Sequence, residues 1–172
     1  MQFLLALLTV LQIAPAPVPP VPAAVRGDRF EIMVPQGWKT LNGGGDVLLE
    51  HISGASLLVR RITQTKNLTD YAQQQAERVM YPLGFAKLGD PRFFKDVHDE
   101  WVQYEIQGNR LADHRRILYR ALRRDTGYFE FVYEASEDRF QSLLTEAQGI
   151  VSSVQALISA PPPATRRTAA RR

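Results

Sequence analysis

The chain has 172 residues, no cysteine and a formal net charge of +3 that is unevenly spread. Without cysteine it has no disulfide framework, no thiolate nucleophile and no lipidation cysteine. All 18 acidic residues lie between Asp28 and Glu146, and 17 basic residues lie in the body from Arg26 to Arg139, with Arg166, Arg167, Arg171 and Arg172 supplying the remaining positive charge; the body is near neutral, which excludes a nucleic-acid-binding face.

Residues Phe3 to Ala14 are almost continuously apolar. As a helix, about 12 residues at ~1.5 Å each span only ~18 Å, too short to cross a ~30 Å hydrocarbon core. Prolines 15, 17, 19, 20 and 22 follow and block any extension of that helix. The stretch reads as a secretory signal peptide over residues 1–23, cleaved after Ala23 or, with Pro17 in a poor position, after Ala16. Residues 24–27 are expected as a linker, and no transmembrane segment is expected once the signal is removed.

The period-2 alternation of Phe30, Ile32 and Val34 predicts a half-buried strand that Pro35 stops. Trp38 is expected to plug the edge of the core. Asn42 to Asp46 is turn material ahead of a strand at Val47 to His51, and Ser53-Gly54 closes a hairpin onto Ser56 to Ile62. No Gly-Lys-Ser/Thr follows the glycine triplet 43–45, so it is no phosphate loop. Asn67 caps a predicted amphipathic helix over Leu68 to Met80, with Pro82 and a left-handed Gly84 ending it. Strands are predicted at Phe85 to Leu88, Trp101 to Ile106, Ile117 to Leu122 and Tyr128 to Ala135, with turns at Gly108-Asn109 and Asp125 to Gly127; Phe93-Phe94 is too short to count. Ser136 caps a last helix from Glu137 to about Ile158, with Phe140, Leu143, Ala147, Ile150 and Val154 on one stripe. The Pro/Ala/Arg-rich residues 159–172 are expected to be a disordered basic tail, able to make a weak contact with an anionic surface.

Consecutive strands joined by short turns place residues 28–158 in the α+β class, with helices packed on one antiparallel sheet of about six to seven strands. The opening Phe30-x-Ile32-x-Val34-Pro35-x-Gly37-Trp38, the helix at Leu68 to Met80, the late hairpin Ile117 to Val132 and the closing Val151-Ser152-Ser153-Val154 together resemble PsbP-like domains over about residues 28–156. That superfamily includes a photosystem II extrinsic subunit, a Ran-binding nuclear import factor and LpqN-type cell-envelope proteins. The resemblance implies an α/β/α sandwich whose members mostly bind or assemble rather than catalyse. His98-Asp99-Glu100 departs from it, standing where a glycine-containing turn is expected.

Two clusters stand out as candidate sites. Asp96, His98 and Glu100 alternate onto one face and offer ligand types a zinc or manganese ion takes, although a fourth ligand is missing. His98 or His114 with Asp113 could form an acid/base pair. A metal-assisted hydrolase centred on Asp96 and His98 (with Asp99 or Glu100) is therefore one reading, and an amphiphile carrier with an apolar cavity under the first helix is another. The reading preferred here is an exported, non-catalytic binding or assembly domain with no cofactor, secreted or periplasmic, whose partner is a protein or cell-envelope component. Its expected surface is a mixed-charge sheet face carrying Gln103, Glu105, Arg116, Arg120 and Glu130, in which Arg116 and Arg120 lie opposite carboxylates, with Trp101 and Tyr128 at the margin.

Overall fold

The structure, a computed structural model, describes residues 21–43, 45–63 and 65–157. The expected signal peptide, apart from its last residues, and the basic tail lie outside them. Eleven strands and two helices alternate in the order β1 (Ala23–Gly27), β2 (Phe30–Val34), β3 (Trp38–Gly43), β4 (Val47–His51), β5 (Ser56–Ile62), α1 (Leu68–Met80), β6 (Gly84–Leu88), β7 (Arg92–Lys95), β8 (Asp99–Arg110), β9 (Asp113–Arg124), β10 (Gly127–Ser136), α2 (Glu137–Ser152) and β11 (Gln155–Ala156). The main sheet is antiparallel and has eight strands, running β3-β4-β5-β10-β9-β8-β6 with β7 also paired to β8. A separate three-stranded sheet, β1-β2-β11, lies outside it. The sheet is thus larger than the six to seven strands expected, and the layer on the α2 side is part helix and part small sheet.

Two apolar clusters sandwich the main sheet. On one face Leu68, Ala72 and Ala76 of α1 bury against Val102, Tyr104, Ile106, Ile117 and Tyr119 of β8 and β9. On the other, Phe140, Leu143, Ala147 and Ile150 of α2, together with Phe30 and Ile32 of β2, bury against Leu57, Val59, Leu118, Phe129, Phe131 and Tyr133. These side chains pack under α1, where an amphiphile carrier would need a cavity. The two helices sit diagonally. α1 covers the β6–β8–β9 half of its face, and α2 with the small sheet covers the β4–β5–β10 half of the other. One strip of the α2 face, along β8 and β7, is therefore left without a covering element.

Several local expectations need correction. Residues 24–27 are not a linker: they pair with β2 from Ala24↔Met33 to Gly27↔Phe30, and Val25 packs on the core. β3 and β7 went unpredicted, because an edge strand such as β3, in which Trp38 is buried but Lys39 to Leu41 are exposed, shows no readable alternation. The Gly108-Asn109 turn is absent: both residues continue β8, and the hairpin turns at Leu111-Ala112, with Leu111 at φ +59°. Tyr81 stays helical (φ −50°, ψ −42°) despite Pro82, and it is Phe85 rather than Gly84 that adopts a left-handed φ, +50°. α2 ends at Ser152, not Ile158, as the Ser153 hydroxyl bonds the Ile150 carbonyl (2.7 Å) and receives the Met33 amide (2.8 Å) from the small sheet. Ser136 holds the N-cap position, but its hydroxyl donates to Asp138 (2.6 Å) instead of capping the backbone. Asn67 caps α1 as its sequence promises, accepting from the amides of Thr69 and Asp70, and Trp38 does plug the core edge, bonding Glu146 of α2 at 3.0 Å.

Candidate functional site: a trough beside the second helix

Along the uncovered strip, β8 turns Trp101, Gln103 and Glu105 outward on the α2 face, because Val102, Tyr104 and Ile106 between them belong to the α1 core. β9 sets Arg120 opposite Gln103, and β7 sets Phe94 opposite Trp101. The rings of Phe94 and Trp101 stack at 5.7 Å with 15° between their planes. The Arg120 guanidinium lies 4.7 Å from the centroid of Trp101, and its Nε donates to Gln103 Oε1 at 3.0 Å, with Nη2 sharing the same oxygen. Burial disfavours the charged form of Arg120 and lowers its pKa. Such a partly desolvated arginine, whose hydrogen-bond partner among the described residues is an amide, is costly to hold, and the ring over it recovers part of that cost.

Farther along, Arg116 bonds Glu105 (3.1 Å) and Glu137 at the start of α2 (3.4 Å), and sits 4.3 Å over the Phe140 ring. Its Nε is buried with no hydrogen-bond partner among the described residues. Arg92 of β7 approaches Glu105 at 3.7 Å, and with the bend Gly89–Asp90–Pro91 it walls a hollow of about 360 Å³ floored by Gln103 and Glu105. The result is a trough with an aromatic end, a mixed-charge floor and α2 as one bank.

Five of the seven surface residues predicted from sequence, Trp101, Gln103, Glu105, Arg116 and Arg120, thus come together. Tyr128 and Glu130 do not. The two-residue turn Asp125-Thr126 sets Gly127 opposite Arg124, so Phe131, not a carboxylate, faces Arg120 and Glu130 faces Ala121. Because a one-residue difference in register inverts the faces of a strand, Glu130 points under α1 and Phe129, Phe131 and Tyr133 join the α2 core instead of the α1 core. Tyr128 lies on the α1 side, in a polar recess with Lys95, Glu100 and Arg123. Of the trough's other residues, Phe94 was set aside with the short run Phe93-Phe94 and Arg92 was not singled out, because Arg92-Phe93-Phe94-Lys95 shows no clean alternation.

No protein-family model and no curated protein matches the sequence. Solved structures do match. The chain is similar to cyanobacterial PsbP from Synechocystis sp. PCC 6803 (TM-score 0.56, 18% identity, covering 87% of this chain and 98% of that one). The fold is PsbP-like. It is similar too to LpqN, involved in cell envelope biogenesis of Mycobacterium tuberculosis (TM-score 0.52, 13% identity, 75% and 83% covered), and to PA94, a protein of unknown function from Pseudomonas aeruginosa (TM-score 0.52, 13% identity, 83% and 99% covered). The resemblance read from the opening strand, the two helices and the late hairpin holds at the level of this PsbP-like fold.

The second candidate cluster lies at the far end of the same PsbP-like sheet, in the β7–β8 turn, and its members do not converge. Asp96 Oδ1 accepts the amides of His98 (2.8 Å) and Asp99 (2.6 Å), which holds its carboxyl below the usual carboxylate range. His98 Nδ1 meets Asp125 Oδ2 at 2.8 Å, and that hydrogen bond raises the imidazole's pKa. Glu100 pairs with Lys95 (3.8 Å) and Arg123 (3.0 Å). Among the described residues no three metal-ligating side chains gather around one point. Nor does the acid/base pair form: His98 turns to Asp125, and Asp113 is taken by Arg115 at 2.9 Å.

Proposed function

We propose that this chain is an exported, non-catalytic binding domain whose trough beside α2 holds a protein or cell-envelope component. The observation that carries the reading is the stacked Phe94–Trp101 pair with the half-buried Arg120 against it, on the strip of the α2 face that neither α2 nor the small sheet covers. Large rings with a guanidinium beneath them are the side chains that dominate binding energy at interfaces. A non-catalytic role is supported by the engagement of the residues of the Asp96 cluster: Asp96 closes a turn, His98 holds Asp125 and Glu100 is paired. Export is supported by the apolar leader in the sequence. The likeness to LpqN, a cell-envelope biogenesis protein, agrees with an envelope partner, and the tail arginines give the chain a means of staying near an anionic surface.

The test is retention of a partner captured from the envelope fraction. Phe94→Ala and Trp101→Ala are each expected to weaken it about 30-fold, the loss of one aromatic hot spot, while circular dichroism shows both variants folded. Undiminished capture by both variants, or a turnover that His98→Ala abolishes, would overturn the reading.

A further inference from the structure

At the opposite end of the sheet from the His98 turn, four large apolar side chains stand almost wholly in solvent: Ile52 (78% exposed) in the β4–β5 turn, Tyr81 (90%) after α1, Phe85 (97%) at the start of β6 and Leu111 (99%) at the tip of the β8–β9 hairpin. The pairings Glu50↔Ser56, Gly84↔Asn109 and Arg110↔Asp113 put all these turns at the same end. Phe85 and Leu111 hold left-handed backbones (φ +50° and +59°), which glycine adopts without strain and L side chains do not. A bulge between Gly84 and Lys87 throws Phe85 outward. The two-residue turn accounts for the left-handed backbone at Leu111 but not for a large apolar residue there, and at both positions the side chain stands in solvent.

Charge at this end sorts in the same way. Arg110 and Arg115 are neutralised by Glu134 and Asp113, and Arg116 by Glu105 and Glu137. Lys87 and His114 have no partner among the described residues; with Phe85, Gln107 and Asn109 they line a hollow of about 480 Å³ directly behind the apolar tips, which Arg115 and Glu137 also border, the latter paired with Arg116.

We propose that this end of the domain docks on a bilayer containing anionic phospholipid, with Phe85 and Leu111 entering the interface and the hollow at Lys87 and His114 taking a lipid phosphate. The tips come from three separate connections, β4–β5, α1–β6 and β8–β9, spread over about 20 Å of sheet end at ~4.8 Å per strand. A protein partner would need a matching socket for each, whereas a lipid interface receives them all. The Tyr81 ring suits the headgroup level. The inference stands apart from whatever occupies the trough.

The absence of cysteine allows a local readout. In the full chain, Ala112→Cys beside Leu111 and, as the control, Thr126→Cys at the other end each receive one environment-sensitive fluorophore. With vesicles of 30% phosphatidylglycerol in phosphatidylcholine, the label at 112 is expected to shift to the blue and to be quenched by nitroxide lipids, and the label at 126 to stay unchanged. Phe85→Ser with Leu111→Ser in the Ala112→Cys background should lower vesicle affinity at least tenfold, and Lys87→Glu should lower it for phosphatidylglycerol vesicles specifically. An unshifted label at 112, or equal binding to pure phosphatidylcholine, overturns the proposal even if the chain sediments with vesicles through its leader.

Discussion

Glu130→Ala is expected to cost about 2–4 kcal/mol of folding stability. Glu130 is 2% exposed beneath α1, where Tyr71 donates to its Oε2 at 2.7 Å, Tyr119 at 3.3 Å, and Arg60 Nε stands 3.4 Å from Oε1. Removing the carboxylate strands two phenols and an arginine in partly dry surroundings; a fully buried partner would raise the cost to about 3–5 kcal/mol, but the Arg60 side chain is 39% exposed and keeps Asp46 at 3.8 Å. Glu130→Gln keeps an acceptor for Tyr71 and should cost about half as much. Urea denaturation of the two variants and of Tyr71→Phe measures this, and additive losses for Glu130 and Tyr71 would show that the contact across the α1 interface is not formed.

The same cluster gives the fold a dependence on alkaline pH. Burial, then the carboxylate of Glu130, raises the phenols of Tyr71 and Tyr119 well above their ordinary 10.0. A group whose folded pKa is raised contributes stability that is complete below its unfolded pKa, about 10, and is lost as pH climbs toward the folded value. Tyr133, pushed up to about 12 chiefly by burial, behaves likewise. Absorbance titration of the native chain should show these three tyrosines ionising only as the fold opens.

Phe140→Ala is expected to cost more still among core changes, about 3–5 kcal/mol for a fully buried phenylalanine whose site cannot collapse. Phe140 is 1% exposed, lies 5.1 Å from the Tyr133 ring, and its carbonyl takes the Tyr133 hydroxyl proton at 2.9 Å. It also carries the Arg116 guanidinium over its face, so it joins the α2 core to the trough. Denaturant midpoints should show Phe140→Leu losing far less than Phe140→Ala. A loss below about 1 kcal/mol for alanine would mean that α2 is not anchored on β10 as described.

How legible these features were in the sequence depends on what sets each of them. α1 could be read from Asn67 to Met80 because a side-chain cap and a 3.6-residue stripe are local signals, and the face Trp101, Gln103, Glu105 could be read because β8 alternates cleanly. The side of Glu130 could not, since Phe129 to Ala135 alternates equally well either way up and only the two-residue turn at Asp125-Thr126 decides the parity. β11 was invisible because it acquires its partner, β2, from more than a hundred residues away; β1 pairs β2 through the local turn Asp28-Arg29, but Ala23 to Gly27 packs only Val25 on the core and so shows no apolar alternation. Phe94 was set aside with its four-residue strand, yet it completes the aromatic end of the trough.

The central claim is that the trough beside α2 is where this domain meets its partner. A photo-crosslinking amino acid in place of Arg92, at the trough wall, against one in place of Gln74, exposed on α1, tests it most directly in the producing cell. Irradiation is predicted to give one discrete adduct from position 92 and none from 74. Adducts from 74 with none from 92 would place recognition on the other side of the sheet and contradict the account.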